Sequence, residues 1–175
     1  MVYSIVIFGN DILRQQATPV AAVTDEIRAL VADMLETMYD AGGLGLAAQQ
    51  IGRTERICVI DVPSKNEKES CREANSAIPM PLVLINPEIV SQIGKQRNDE
   101  GCLSFPEIGS PVTRANQVTV SYTDLSGGRQ TIVAQGLLAR AIQHEIDHLN
   151  GVLFIDKIST LQRLALAGAL RRLRH

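Results

Sequence analysis

The sequence predicts an α+β fold. It is expected to be a single domain of antiparallel and mixed β-sheets around a central metal-binding H-E-x-x-H helix, with an amphipathic C-terminal helix. Three observations predict it. The chain has 175 residues, 45% hydrophobic and 21% charged, which is ordinary composition for one domain over residues 1–175. Helical stripes and alternating strands come in blocks, without strict β-α alternation. One predicted helix, over residues 137–149, carries two histidines four positions apart.

Residues 4–8 read as a short strand. Thr24 is a plausible N-cap, with Asp25 and Glu26 in the first turn where the helix dipole favours them. Ile27, Leu30, Val31, Met34, Leu35 and Met38 then follow helical spacing, and Gly42 and Gly43 end the run. Residues 57–62 form an apolar strand closed by Pro63. Residues 64–77 are polar and charged, the pattern of a mobile surface loop. Residues 82–85 and 88–93 look like strands interrupted by Asn86-Pro87. Residues 118–122 and 129–133 read as a hairpin around a turn at 124–128. The 137–149 helix ends at Asn150-Gly151, residues 152–155 form another strand, and residues 158–173 a last amphipathic helix.

Composition excludes several roles. Aromatic residues make up 3% and tryptophan is absent, which argues against base stacking on aromatic platforms. Net charge is −2, which argues against DNA as a partner. The three cysteines are an odd number without C-x-x-C spacing, as expected of a reducing cytoplasm. The first eight residues make a poor signal peptide, and no apolar run approaches a membrane span.

His144 and His148 share one helix face and can bind one metal, with Glu145 beside them as a proton shuttle. Two surface histidines on an amphipathic helix would give the same letters. A catalytic tetrahedral site needs a third protein ligand and an open position. Downstream, Phe154 stands where a third histidine would fall, and Asp156 is a weak fit. Upstream, Cys102 follows Gly101 in E-G-C-L-S; its bland alternative is a small buried residue. Cys58 sits in an apolar strand, and Cys71 lies in the charged segment without apolar or histidine context. Thiolate and imidazole accept iron, zinc, nickel and cobalt alike.

Residues 43–50, G-L-G-L-A-A-Q-Q, form the third feature. They are neither a dinucleotide fingerprint nor a P-loop. Small residues there let a backbone pass close to a ligand, and Gln50 offers a neutral amide donor. On the helix, Leu137, Ala141, His144 and His148 fall on one stripe. Leu137 and Ala141 therefore either line a pocket for an unbranched apolar side chain or simply pack the core.

Together these segments resemble the peptide deformylase family, which carries G-φ-G-φ-A-A-x-Q, E-G-C-L-S and Q-H-E-φ-D-H-L in this order. All are complete here, at residues 43–50, 100–104 and 143–149. The resemblance implies that Cys102, His144 and His148 hold a divalent metal, usually iron(II), and that Glu145 is the acid/base. It implies that the Gln50 amide and the Leu103 backbone N–H bind the formyl oxygen, and that Leu44 and Gly45 align the substrate. The implied partners are formyl-methionyl nascent polypeptides. Gly109 stands where many members carry a basic or bulky residue that touches the substrate backbone, so a different grip beyond methionine is expected.

Rival readings are a metallo-peptidase acting on ordinary peptide bonds and a metal-stabilised, non-catalytic binding module. The second needs a fourth protein ligand, from Cys58 or His175. In the last helix, Ile158, Leu161, Ala165, Ala169 and Leu173 form the expected docking stripe. Arg163, Arg171, Arg172 and Arg174 leave a basic face. It is either a solvated, dipole-favoured end or a weak ribosome contact.

Overall fold

The sheet alternates its side chains between two helices. The computed structural model describes residues 1–174. Strands β1 (Gly45–Ala47), β2 (Ile57–Ile60) and β3 (Leu82–Ile93) join β6 (Gln117–Thr123) and β7 (Arg129–Gln135) in one antiparallel sheet, ordered β1-β2-β3-β6-β7. Strands β4 (Gln96–Cys102) and β5 (Phe105–Arg114) form a separate antiparallel hairpin. The expected α+β class with antiparallel sheets is what is found.

Helix α1 (Asp25–Asp40) covers one sheet face and helix α3 (Gly136–Leu149) the other. The division follows the period of two along β2. Ile57 and Val59 point to Leu30, Val31, Met34 and Met38 of α1. Cys58 and Ile60 point to Leu138, Ala139, Ile142 and Ile146 of α3. Thr24 caps α1, its hydroxyl accepting from Ile27 N at 3.3 Å. A third core joins Phe8, Phe105, Val112, Phe154 and Ile155 to Leu170 of helix α4 (Thr160–Leu173). Among the described residues, no helix is long and apolar enough to cross a membrane.

Several local expectations differ. Residues 4–8 form no strand, and Phe8 already lies in a turn; their backbone bonds go elsewhere, as from Val6 N to Gln50 O. Residues 82–93 make one strand, with a register shift at Asn86-Pro87 in place of a break. Asn86 takes a φ of +50° there, which asparagine tolerates better than most residues. The 64–77 segment holds a short 3-10 turn and helix α2 (Glu69–Ala74), and buries Cys71. Residues 154–156 are a 3-10 turn where a strand was expected.

The stripe of α4 is also displaced. Leu161 is 78% exposed and Ala165 lies outside, whereas Leu166, Ala169, Leu170 and Leu173 pack inward. Gln162 sets this rotation: its side chain closes a capping box with Ser159 and its amide donates to Ser110 Oγ at 3.0 Å.

Candidate metal centre

Cys102 ends β4 and pairs with Phe105 of β5, so Leu103 and Ser104 form the hairpin's two-residue turn. Cys102, at the head of that turn, meets the C-terminal half of α3, which carries His144 and His148. Cys102 Sγ lies 3.3 Å from His148 Nε2, which lies 3.2 Å from His144 Nε2. One ligand atom from each residue falls within 4.8 Å of the others. In a tetrahedral site with ordinary Zn–N and Zn–S lengths, neighbouring ligand atoms stand about 3.3–3.6 Å apart. The donor set and its spacing therefore suit one transition-metal ion.

The electrostatics point the same way. Burial, with His144 and Arg114 nearby, pushes His148 well below its usual value and keeps it neutral, the ligating form. Burial also opposes protonation of His144, yet Cys102 and Glu100 outweigh it and hold His144 well above its usual value. A proton and a metal ion compete for the same electron-rich position.

Glu145 is 5% exposed, and its Oε2 is buried without a hydrogen-bond partner among the described residues. Burial is the main force that raises it to about 7, Glu100 and Asp147 adding to the shift and His144 and Arg114 opposing it. Gly45 lies directly against it. A Cβ added there would stand 2.6 Å from Glu145 Oε1, so the second glycine of G-L-G-L is a space requirement of the carboxylate. A Cβ at Gly43 would likewise meet Leu103 Cδ1 at 2.7 Å.

Gln50 sits in the 3-10 turn after β1. Its Oε1 accepts from Ala47 N at 2.9 Å, which turns Nε2 towards Cys102 Sγ at 3.4 Å and Ser104 Oγ at 3.2 Å. Leu44, Gly45, Leu103, Leu137 and Ala141 all line the same cavity of about 610 Å³. Leu137 and Ala141 also touch the core between α3 and the sheet, so wall and core are one packing. Gly109 pairs with Gly101 across the hairpin and does not line this cavity.

Sequence reasoning gave no role to the groups behind the ligands. Glu100 touches His144 Nδ1 and pairs with Arg114 Nη2 and Arg140 Nη1, each at 2.6 Å. Burial opposes its ionisation, but His144 and Arg114 outweigh burial and hold it well below the carboxylate range. Asp147 pairs with the other side of Arg114. Gln49, fully buried, donates to the His148 carbonyl at 2.9 Å. One signal was available: a ligating histidine usually hands its second nitrogen to a carboxylate, and Glu100 lies beside Cys102 in E-G-C-L-S. Arg114 and Arg140 carry no such signal.

The alternative of a closed site finds no support from Cys58. It is buried in β2 with its thiol pushed up by burial, and among the described residues the ligand cluster holds only Cys102, His144 and His148. His175 lies outside the described residues.

Comparison with known proteins agrees with this geometry. The pattern that defines the family described as polypeptide deformylase matches residues 2–164. A peptide deformylase of Nitrosococcus oceani is 53% identical over 86% of this chain and 83% of its own length. One from Acidobacterium capsulatum is 44% identical over 99% of this chain and 96% of its own. The crystal structure of a peptide deformylase from Ehrlichia chaffeensis superposes with a TM-score of 0.88 at 39% identity, covering 99% of this chain and 96% of that one. One from Synechococcus elongatus, solved in complex with actinonin, gives 0.84 at 44% identity, covering 97% and 86%. The chain belongs to the polypeptide deformylase family.

Proposed function

We propose that residues 1–175 act as one catalytic domain, a cytoplasmic hydrolase that removes the N-formyl group from the formyl-methionine of newly synthesised proteins. Cys102, His144 and His148 would hold one divalent ion, iron(II) by resemblance, with zinc, nickel or cobalt able to replace it. The observation that carries this reading is the convergence of these donors, Glu145 and Gln50 on one cavity.

When bound, the ion would supply a lowered water pKa and a polarised carbonyl. The remaining steps belong to the chain. The water oxygen attacks the formyl carbon while Glu145 takes its proton. Negative charge grows on the formyl oxygen, where the Gln50 Nε2–H now facing Cys102 and the Leu103 N–H would donate. One such donor is worth about 10²–10³ in rate. As the C–N bond breaks, Glu145 returns the proton to the leaving amine, and formate departs. Leu44 and Gly45 would align the peptide backbone, with the methionine side chain against Leu137 and Ala141.

The basic end of α4 would supply the ribosome contact, through fewer residues than the sequence suggested. Arg174 stacks over Phe8 at 4.8 Å, and Arg163 faces Asp156 at 3.5 Å. Arg171 and Arg172 remain exposed.

The nickel-loaded chain, given formyl-Met-Ala-Ser, should release formate and leave the Met-Ala bond intact. It should leave unformylated Met-Ala-Ser untouched. Cleavage of the Met-Ala bond would favour the metallo-peptidase, and metal binding with neither reaction the binding module.

A further inference from the structure

The segment between β2 and β3 reaches α3 through one buried carboxylate. Glu67 is 8% exposed, as is Asn75. Glu67 Oε1 accepts from Leu138 N at 3.2 Å, and Oε2 accepts from Asn75 Nδ2 at 2.6 Å. Asn75 then holds Gln135 on both sides: its Nδ2 donates to Gln135 O at 3.0 Å, and its Oδ1 accepts from Gln135 N at 2.9 Å. Next to these, Gly136 has a φ of +63°, and an added Cβ would stand 2.6 Å from Cys71 Sγ. Only glycine fits there while α2 stays docked.

Leu138 is the third residue of α3, the one whose N–H an N-cap side chain ordinarily takes. Gln135, at the N-cap position, makes no such bond. The cap instead comes from 71 residues earlier in the chain. A carboxylate at that end also answers the positive pole of the helix.

We infer that Glu67, held by Asn75, is a positioning residue for the substrate pocket: it fixes the first turn of α3, and with it the Leu137 side of the pocket wall. The inference rests on the proposed role of Leu137. The order along α3 decides what Glu67 governs. Leu137 lies inside the capped turn and lines the cavity. Glu145 lies two turns on, about 10 Å along the axis, in a part of the helix held by its own core contacts. Loss of the cap should therefore reach substrate binding before it reaches the chemistry.

The test uses the nickel-loaded full chain with Glu67→Ala, Glu67→Gln and Asn75→Ala. Amide exchange is followed at residues 136–139, and kcat and KM are measured on formyl-Met-Ala-Ser and formyl-Ala-Ala-Ser. Glu67→Ala should speed exchange at Leu138 by about fivefold or more, the usual worth of a cap. It should raise KM for the methionine peptide more than it lowers kcat, and narrow the preference for methionine over alanine. Glu67→Gln, which keeps one acceptor but turns an NH₂ towards Asn75, should fall between. Unchanged exchange and unchanged preference would overturn the inference. A lower melting temperature with parental KM and preference would overturn it too, leaving Glu67 a stabilising contact only. If Glu67→Ala does not fold, Glu67→Gln decides by the same readouts. If the parent releases no formate, the proposed function fails, while exchange at Leu138 still judges the cap.

Discussion

Gly45→Ala asks whether the position of Glu145 controls the reaction. The added Cβ would stand 2.6 Å from Oε1 and 2.9 Å from both Cδ and Cγ of Glu145, where ordinary contact begins at 3.4 Å. The carboxylate must therefore retreat by about 0.5–0.8 Å, or β1 must shift. Both sides resist, because β1 is paired with β2 and α3 packs its buried face on the sheet. A misplacement near 1 Å at a reacting group costs on the order of 10² in rate, about 2.7 kcal/mol of barrier. None of the three closest contacts is a metal ligand, so the nickel content of the variant should match the parent. The assay is steady-state formate release from formyl-Met-Ala-Ser, with metal measured on the same sample. Gly127→Ala, in the turn between β6 and β7, is the control. It meets open space but has a φ of +88°, so it should lower stability by about 1 kcal/mol and leave kcat alone. Full turnover by Gly45→Ala with metal bound would refute the reasoning, because the crowding would then be harmless.

The remaining expectations can be checked on the same preparations. Glu145→Ala should retain metal and lose at least about 10² in kcat, the range for a general acid/base; near-parental turnover would remove that role. Cys102→Ser should lower metal content or change which metal is held, whereas Cys58→Ser and Cys71→Ser should not; elemental analysis of the purified variants decides. The base form of Glu145 is the ionised one, and burial raises it to about 7 while a bound cation would pull it back. The profile of kcat/KM should therefore rise with pH along a limb between about 4.3 and about 7, and a limb at or below the ordinary glutamate value would contradict the burial argument. Arg171→Glu with Arg172→Glu should reduce ribosome co-sedimentation at low salt while sparing free-peptide turnover; unchanged sedimentation would leave α4 with a structural role alone.

The parts legible in the sequence were those where one local signal sufficed. Thr24, the α1 stripe and the hairpin strand expected at 129–133 obey cap and period rules that neighbouring residues do not override. So does the helix that carries His144, Glu145 and His148. The fold departs from the sequence where long-range contacts decide. Residues 4–8 have strand-forming side chains but bond to Gln50 and other loop groups instead of a sheet. Residues 64–77 look mobile because of their charge, yet Glu67 and Asn75 are consumed by the start of α3, which no local pattern announces. In α4 the spacing admits more than one stripe, and the bond from Gln162 to Ser110 selects the face. For the candidate site, the three motifs named the groups that converge, while the arginines beyond Glu100 stayed hidden because each is distant in sequence from what it touches.

The charges around α3 would suit a divalent ion and, in the proposed mechanism, a carboxylate that changes its protonation state. Glu100 and Asp147 carry two negative charges, and Arg114 and Arg140 carry two positive ones in direct contact with them. These four charges cancel among themselves, Lys157 adding one exposed cation 3.9 Å from Asp147, so the buried part of the set can orient His144 with little net field of its own. Cys102 and Glu145 then face the cavity beside the histidines, with Asp99 and Glu107 elsewhere on its wall. With a divalent ion bound, the centre would be neutral when Glu145 is ionised and carry one positive charge when Glu145 holds the proton. Neither state strands a large uncompensated charge in a buried place. A third imidazole in place of Cys102 would add one unit of positive charge to both states. It would bind Glu145 more firmly as a carboxylate and make it a poorer proton carrier. In the proposed mechanism, a thiolate ligand would give up some electrophilicity of the ion and in return would keep Glu145 able to take a proton and release it. The depth of Glu145, only 5% exposed beneath Gly45, adds to the same balance by holding its proton affinity above that of a surface glutamate.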